Sequence, residues 1–300
     1  MIHARNLAKS FRRRRALGGL SFSVPEGSAY ALIGPNGAGK STTIRILMNI
    51  LEADSGSAEI LGVDSRRISP RQLAQIGYVS EYQFFPPGLT VADYLAYLRP
   101  FYPTWDRDLE TSLVRDLHLP LDRFISELSH GMRMKAALAF ALPFRPRLLI
   151  LDEPLSGLDA LVRDEFLARL LEQAGEMTIL VSSHELTEIE GLATHVGFID
   201  EGRLLFEESM SDLAARFREV HVTLDREASP PGSAPAEWLN LRTMGNVVMF
   251  VDSRFSEDRL RSGIAALPGG VRSVDARPMS LRSIFTALAI STRDAAERRI

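Results

Sequence analysis

The chain has 300 residues, 45% of them hydrophobic and 24% charged, and a formal net charge of -3, which excludes disordered and collagen-like classes and gives no argument for nucleic-acid binding. Because it contains no cysteine, disulfides, thiolate zinc sites and cysteine nucleophiles are excluded as well. The apolar runs at 136–142 and 148–151 are far shorter than the roughly 18 to 20 residues of a membrane-spanning helix and no secretory signal is visible, so we expect a cytoplasmic protein of one or two domains.

Strand-like and helix-like segments alternate along the first two thirds of the chain. Short apolar runs, partly β-branched, predict strands at 28–33, 148–151, 178–182 and 195–199. This alternation is typical of an α/β core with a mostly parallel sheet. Directly after the last of these strands, Asp200, Glu201 and Gly202 predict a hairpin turn.

Two stretches between the predicted strands carry helical patterns. The first begins at Lys40 and is expected to end at Gly56. Its apolar face is formed by Ile44, Leu47, Met48 and Leu51. The second stretch, about 89–145, contains helical patterns that begin near Leu89 and near Asp106, with prolines between them. We expect this stretch to form a helical subdomain inserted into the core.

The pattern changes beyond about residue 217. Strands are predicted at 221–224 and 247–252, and the loop 229–235 (SPPGSAP) lies between them. A flexible interdomain linker is the alternative for this loop, but a strand precedes it and Trp238 follows closely, which favours a loop within one small domain. We therefore expect an α/β domain at 1–217 and a small α+β accessory domain at 218–300.

Four consecutive arginines occupy positions 12–15, between two strand-like segments. Such a cluster can form a patch for nucleic acid or anionic lipid. We expect a solvated turn instead, because a short run of charge between two strands most often faces water.

The clearest motif is GPNGAGKST at 34–42, which contains G-x-x-x-x-G-K-[ST] between a predicted strand and a predicted helix. Its glycines let successive backbone N–H groups converge on phosphate oxygens, and the positive end of the following helix adds attraction. Lys40 is expected to reach the β- and γ-phosphates, and Ser41 to bind Mg²⁺. The predicted nucleotide-binding residues are Gly34, Asn36, Gly37, Ala38, Gly39, Lys40, Ser41 and Thr42.

Two carboxylates, Asp152 and Glu153, follow the apolar run at 148–151. Ligands bind beyond the carboxyl ends of parallel strands. We expect Asp152 to hold Mg²⁺ directly or through water, and Glu153 to polarise an attacking water as a general base. Together with the phosphate loop, this pair predicts a nucleotide-hydrolysing sheet.

In this order, the motifs resemble those of the ATP-binding subunit of ATP-binding cassette (ABC) transporters over about residues 1–210. The segments 34–42 and 148–153 are similar to the family's Walker A and Walker B motifs. The other matching positions are Phe11 for the aromatic residue that stacks on adenine, Glu81 for the Q-loop, Ser129 and Gly131 for the LSGGQ signature, Asp159 for the D-loop and His184 for the switch histidine of the H-loop. The segment 279–288 resembles the terminal stretch of export-type members with an extra C-terminal domain; an amphipathic helix that closes a small domain is the alternative.

The resemblance implies a head-to-tail dimer that encloses two ATP molecules. Ser129 and Gly131 of one subunit then act in trans on the γ-phosphate bound by the other, at a helix N-terminus that suits an anion. The implied role of His184 is to contact the γ-phosphate and orient the water near Glu153. Whether the partner is a second copy or a different ATP-binding subunit stays open.

The chain departs from the family pattern at three positions. His130 replaces the first glycine of the signature, Met132 replaces its glutamine, and Glu81 replaces the glutamine of the Q-loop. Similar substitutions occur in export-type relatives, so we expect hydrolysis to survive. A titratable His130 can confer pH sensitivity, the alternative being a solvent-facing histidine without consequence. The implied role of Glu81 is metal contact and relay to the membrane partner.

The implied function is ATP hydrolysis with Mg²⁺ that powers export through separately encoded transmembrane permease subunits, at the inner face of the cell membrane and without a nucleic-acid partner. One alternative is a non-transport cassette ATPase that acts on nucleic acid or ribosomes; the single cassette and slightly acidic charge disfavour it. The other is a regulatory module that holds ATP without useful hydrolysis. It is disfavoured by the presence of Lys40, Asp152, Glu153 and His184.

Overall fold

A computed structural model of the protein describes residues 1–12, 14–173, 175, 177–185, 189–227 and 234–288. The chain divides into two compact units, Met1–Glu208 and Ser209–Ile300. This division is earlier than the boundary at 217 that the sequence suggests. The reason is that the helix Met210–Arg216 is bonded to later residues: the backbone N–H of Phe255 donates to the carbonyl of Arg216 at 2.8 Å.

The first unit contains two β-sheets. Its strands are β1 (Ile2–Phe11), β2 (Arg14–Val24), β3 (Ala29–Ile33), β4 (Ser55–Ile60), β5 (Val63–Asp64), β6 (Ile76–Ser80), β7 (Leu148–Asp152), β8 (Thr178–Ser183), β9 (His195–Asp200) and β10 (Arg203–Ser209). One sheet has the order β2-β1-β4-β5 and is antiparallel; the other has the order β10-β9-β3-β8-β7-β6.

The six-stranded sheet is the predicted α/β core. Strands β9, β3, β8, β7 and β6 pair in parallel, each with the next. All residues of β3, β7 and β8 are buried, which explains why these segments read as continuous apolar runs without alternation. The strands predicted at 28–33, 148–151, 178–182 and 195–199, and the hairpin between β9 and β10, are observed. The predicted fold class is confirmed.

Helices connect the strands. They are α1 (Lys40–Leu47), α2 (Pro70–Leu73), α3 (Val91–Leu98), α4 (Arg107–Asp116), α5 (His130–Ala141) and α6 (Ala160–Gln173). The predicted end of α1 at Gly56 is wrong, because the chain leaves the helix at Met48, adopts a left-handed backbone at Asn49 (φ 55°), and reaches Gly56 within β4. The apolar Leu51, which continued the helical spacing, therefore lies outside the helix.

Helices α3, α4 and α5 form the helical part of the unit between residues 89 and 145. Thr90 and Asp93 cap α3 reciprocally, and the Asp106 carboxylate accepts two backbone N–H groups at the start of α4. In α5 the residues from Met134 to Ala141 are buried, so this helix is held by packing on most of its surface.

The second unit is a small α+β structure. Its elements are α7 (Met210–Arg216), β11 (Arg218–Leu224), β12 (Trp238–Met244), β13 (Val247–Asp252), α8 (Glu257–Ala265) and β14 (Val271–Pro278), and residues 281–288 are helical. Its sheet has the order β12-β13-β11-β14, and the neighbouring strands pair antiparallel. The predicted strands at 221–224 and 247–252 lie in β11 and β13, whereas the loop predicted at 229–235 falls mostly outside the described residues.

Within the described ranges, none of the helices combines the length and the apolar character needed to cross a bilayer.

Candidate active site

A cavity of about 620 Å³ lies at the carboxyl edge of the parallel sheet, where β3, β7 and β8 end side by side. Lys40 follows β3, Asp152 ends β7 with Glu153 directly after it, and His184 follows β8. Strand order therefore brings together residues that are far apart in the chain, as expected for this edge of a parallel sheet. The predicted residues that line the cavity are Phe11, Asn36, Gly37, Gly39, Lys40, Ser41, Thr42, Glu81, Asp152, Glu153 and His184.

The loop before α1 has the backbone geometry of an anion-binding turn. Gly37 and Gly39 have φ angles of 84° and 112°, in the left-handed region that favours glycine. A Cβ on Gly39 would also lie 2.8 Å from the carbonyl oxygen of Ala16. Because α1 begins at Lys40, its free N–H groups and the positive end of its dipole face the cavity.

Gly34 and Ala38 support this loop without lining the cavity. A Cβ on Gly34 would lie 2.0 Å from the carbonyl oxygen of Ile199, so only glycine fits against β9. The carbonyl of Ala38 accepts the N–H of Gly202 at 2.9 Å. The loop is thus anchored to the β9–β10 hairpin.

Lys40 is a buried cation that bridges the loop and the end of β7. Its Nζ donates to the carbonyl oxygens of Gly34 at 2.6 Å and Pro35 at 3.2 Å. The same Nζ lies 3.0 Å from Oε1 of Glu153. With 4% of its side chain exposed, this charge requires a partner, because an unpaired buried ammonium is strongly unfavourable.

Asp152 is held by two hydroxyl groups. Its Oδ1 accepts a hydrogen bond from Ser41 Oγ at 2.9 Å and another from Ser182 Oγ at 2.8 Å. Burial raises the pKa of Asp152 above its usual value, and the two hydroxyl donors oppose that rise. The ionised form of this carboxylate is therefore unfavourable in the protein alone, and a cation beside it would stabilise the negative charge.

Glu153 occupies the centre of the site in a sterically unfavourable backbone conformation. Its φ angle is 52°, which is uncommon for a residue other than glycine. Its Oε2 lies 2.8 Å from Nδ1 of His184, while its Oε1 pairs with Lys40. Its backbone N–H donates to Ser182 Oγ at 3.0 Å. One carboxylate thus connects the phosphate-loop lysine with the histidine of the neighbouring strand.

Ser182 was not singled out from the sequence, although it contacts both acidic residues. It is fully buried in β8, donates to Asp152 and accepts from the N–H of Glu153. The available signal was a serine inside an otherwise apolar strand, since a buried hydroxyl normally has a specific hydrogen-bond partner.

The three residues of the signature and D-loop lie away from this cavity. Ser129 Oγ accepts the N–H of Met132 at 3.2 Å as the N-cap of α5, and Asp159 Oδ1 accepts the N–H of Val162 at 3.0 Å near the start of α6. A Cβ on Gly131 would lie 3.1 Å from Val162. Within one chain, these residues therefore cap and pack the helices and do not line the cavity.

His130 is partly buried and hydrogen-bonded. Its Nε2 lies 3.0 Å from the carbonyl oxygen of Ser156, and Ser156 itself lines the cavity. The expectation that His130 faces solvent is therefore wrong, whereas its effect on pH sensitivity stays a prediction. Its ring connects the start of α5 with the segment that follows Glu153.

Phe11 and Glu81 lie at the rim of the cavity. Phe11 ends β1, and 47% of it is exposed. Nζ of Lys9 lies 5.8 Å from the centroid of its ring. The N–H of Glu81, after β6, donates to the carbonyl of Asp152 at 3.1 Å. The neighbouring Tyr82 is 81% exposed and also lines the cavity.

Arg12, Arg14 and Arg15 are exposed at the β1–β2 hairpin, in agreement with the solvated turn expected from the sequence. Arg14 lines the cavity beside the phosphate loop, because the β1–β2 hairpin places it directly opposite Phe11. Arg45, on α1, also lines the cavity and was not singled out. No periodicity in the sequence indicated either position, since each depends on how the hairpin and helix pack.

Comparisons with known proteins give a consistent picture. Residues 17–156 match the family model described as ABC transporter. The chain is 36% identical to the lantibiotic transport ATP-binding protein SrtF of Streptococcus pyogenes, over 69% of this chain and 90% of that protein. It is 32% identical to the daunorubicin/doxorubicin resistance ATP-binding protein DrrA of Streptomyces peucetius, over 99% and 96% respectively. A solved structure described as the ATP binding subunit of an ABC transporter is 28% identical, with a TM-score of 0.65 over 72% of this chain and 92% of that one.

Proposed function

The chain belongs to the ABC transporter family of ATP-binding subunits, and from this membership we propose that it binds and hydrolyses ATP to drive export through membrane subunits. The observation that carries the proposal is the position of Glu153, whose two carboxylate oxygens contact Lys40 and His184 in a cavity at the start of α1. A base, a phosphate-binding lysine and a histidine are the groups that water attack on a γ-phosphate requires.

In the proposed reaction, Lys40 exchanges its contact with Glu153 for the phosphate oxygens of ATP. Glu153 is then free to accept a hydrogen bond from the attacking water and to take its proton, while the water oxygen bonds to the γ-phosphorus and the bond to the bridging oxygen breaks, releasing ADP. His184, held within reach of Glu153, orients that water and contacts the γ-phosphate. The charge on the transferred phosphoryl group is compensated by Lys40 and by the N–H groups at the start of α1.

The residues around Asp152 suit Mg²⁺. This cation prefers oxygen ligands and usually keeps several waters and substrate phosphate oxygens in its shell. Ser41 and Asp152 supply a hydroxyl and a carboxylate within 2.9 Å of each other. Among the described residues no group of three or more acidic or histidine side chains is arranged to hold a metal alone. We propose that Ser41 and Asp152 hold Mg²⁺ jointly with ATP, where it neutralises phosphate charge.

The signature is proposed to act on a second molecule. Ser129 and Gly131 sit at the N-terminus of α5, where an exposed serine and the N–H groups of the first turn favour an anion. They do not line the cavity of their own chain. A head-to-tail dimer gives each cavity a signature from the partner, so that ATP joins the subunits and hydrolysis releases them.

We propose that separately encoded transmembrane subunits receive this motion and hold the protein at the inner face of the membrane. The names of both relatives refer to transport or resistance, which favours export over a role with nucleic acid or ribosomes. The intact set Lys40, Asp152, Glu153 and His184 disfavours a module that binds ATP without hydrolysis.

Complementation between inactive variants tests the proposal. Lys40→Ala removes the phosphate contact and Ser129→Arg blocks the signature, so we expect each variant alone to release little phosphate from Mg-ATP. A mixed dimer holds one site with an intact Lys40 from one chain and an intact Ser129 from the other. We therefore expect the mixture to regain part of the activity, and the specific activity of the unmodified chain to rise with protein concentration.

A mixture that stays inactive while the unmodified chain is active would contradict the shared site. An unmodified chain that binds no ATP would contradict the whole proposal. Mixing Lys40→Ala with Lys40→Ala at the same total concentration is the matched control, because no intact site can form.

A further inference from the structure

Among the described residues, no carboxylate forms an ion pair with the positive charge that Arg14 brings to the cavity. Arg14 is the first residue of β2, its side chain is exposed, and it lines the cavity together with Lys40 and Ser41. Its guanidinium makes neither a hydrogen bond nor an ion pair with any other part of the chain that the structure describes. In contrast, the charge of Lys40 is already paired with Glu153.

The β1–β2 hairpin aims Arg14 at the phosphate loop. Arg14 pairs with Phe11 in the antiparallel register, and directly opposed residues project from the same face. A Cβ on Gly37 would lie 2.8 Å from Nη2 of Arg14, so the guanidinium lies against the loop backbone. The hairpin therefore presents an aromatic ring and a cation side by side, and the cation lies against the loop.

We propose that Arg14 is a further nucleotide-binding residue, one that donates hydrogen bonds to the phosphate chain of bound ATP; this rests on the proposed function. A guanidinium has only donors, and its planar fork matches phosphate oxygens. The phosphates must lie along the loop that supplies the converging N–H groups, and Gly37 is part of that loop. Arg14 thus adds a side-chain contact from the hairpin to those from Lys40 and the backbone.

The test measures affinity for Mg-ATP and for inorganic tripolyphosphate by calorimetry. All variants carry Glu153→Gln, so that ATP is not consumed. We expect Arg14→Ala to weaken the binding of both ligands about 10-fold, the loss typical of one hydrogen bond to a charged group, and Arg14→Lys to recover part of it. Arg12→Ala is the matched control, because Arg12 is an exposed arginine of the same hairpin that lines neither this cavity nor the second one beside the loop, to which both Arg14 and Arg15 contribute, so we expect little change.

Unchanged affinities in Arg14→Ala, or equal losses in Arg14→Ala and Arg12→Ala, would overturn the inference. Weaker binding of ATP with unchanged binding of tripolyphosphate would also overturn it, because the contact would then be to the nucleoside. Lys40→Ala in the same series distinguishes a failure of this inference from a failure of the proposed function. If Lys40→Ala abolishes ATP binding while Arg14→Ala does nothing, only the inference fails; if the parent binds no ATP, the proposed function fails with it.

Discussion

Replacing Glu153 with glutamine is expected to separate ATP binding from ATP hydrolysis. Glutamine keeps the length of the side chain and one hydrogen-bonding oxygen, but it loses the charge and the ability to take a proton from water. General-base catalysis contributes roughly 10²- to 10⁴-fold to a rate. We therefore expect phosphate release to fall by about that factor, with the fold and the cavity retained.

The same substitution changes the energy of the nucleotide-free protein. The Lys40–Glu153 pair, at 3.0 Å and with exposed fractions of 4% and 15%, has a gross attraction of about 5 kcal/mol at an effective dielectric constant of about 20. Removing one member of a buried pair costs about 3–5 kcal/mol. Lys40 keeps its bonds to the carbonyls of Gly34 and Pro35, so we expect a loss of stability on the order of 1–3 kcal/mol.

Bound ATP restores a negative partner to Lys40, and the variant recovers this loss on binding. A difference of about 1.4 kcal/mol corresponds to 10-fold in affinity. We therefore expect Glu153→Gln to unfold at a lower temperature than the parent without nucleotide and to bind Mg-ATP about 10-fold more tightly. Thermal unfolding with and without Mg-ATP, calorimetric titration and phosphate release measure the three quantities.

Glu185→Gln is the matched control. Glu185 also faces His184, but its Oε1 is 4.0 Å from Nε2 and 54% of its side chain is exposed, so this pair contributes at most about 1 kcal/mol. Parent-like turnover in Glu153→Gln would refute the assignment of the base. Weaker ATP binding in that variant would refute the competition between Glu153 and phosphate for Lys40.

Three further substitutions test the surrounding geometry. Burial raises the pKa of Asp152 above 3.8, so the folded protein binds this proton more tightly than the unfolded chain does, and stability falls as pH rises above about 4. Asp152→Asn should therefore be at least as stable as the parent at pH 7 in thermal unfolding, and this advantage should shrink toward pH 4. A lower stability of the variant at pH 7 would count against this account. Ser182→Ala should reduce kcat about 10-fold with little change in the KM for ATP, because the backbone N–H of Glu153 loses its acceptor. Ser182→Thr, which keeps the hydroxyl, should restore kcat. A parallel change in KM would indicate a general structural effect. Gly34→Ala places a Cβ against the carbonyl of Ile199 and should lower the free energy of unfolding by about 3 kcal/mol in chemical denaturation, whereas Gly191→Ala, which meets nothing within 4 Å, should not.

The errors in the sequence analysis have local causes. The spacing of Leu51 continued the helical pattern of α1, but the positive φ angle of Asn49 ends the helix first, and periodicity does not report such a residue. The contact from His130 to the carbonyl of Ser156 depends on how α5 packs against the segment after β7. The sequence around a residue does not indicate which residues of another element its side chain contacts.

The amino-acid sequence by itself determined which chemical groups are present and on which kinds of element they stand. The motif at 34–42 consists of particular glycines, a lysine and a serine that are close together in the chain. The buried strands that end before this motif and at Asp152 are continuous apolar runs. The motif and the strands are therefore local properties of the chain. Only the tertiary structure decided that Glu153 contacts Lys40 and His184, that Ser182 holds both carboxylate residues, and that the hairpin directs an arginine to the phosphate loop. The physical reason is that these contacts depend on strand order and hairpin register, which are set by the packing of segments distant in sequence.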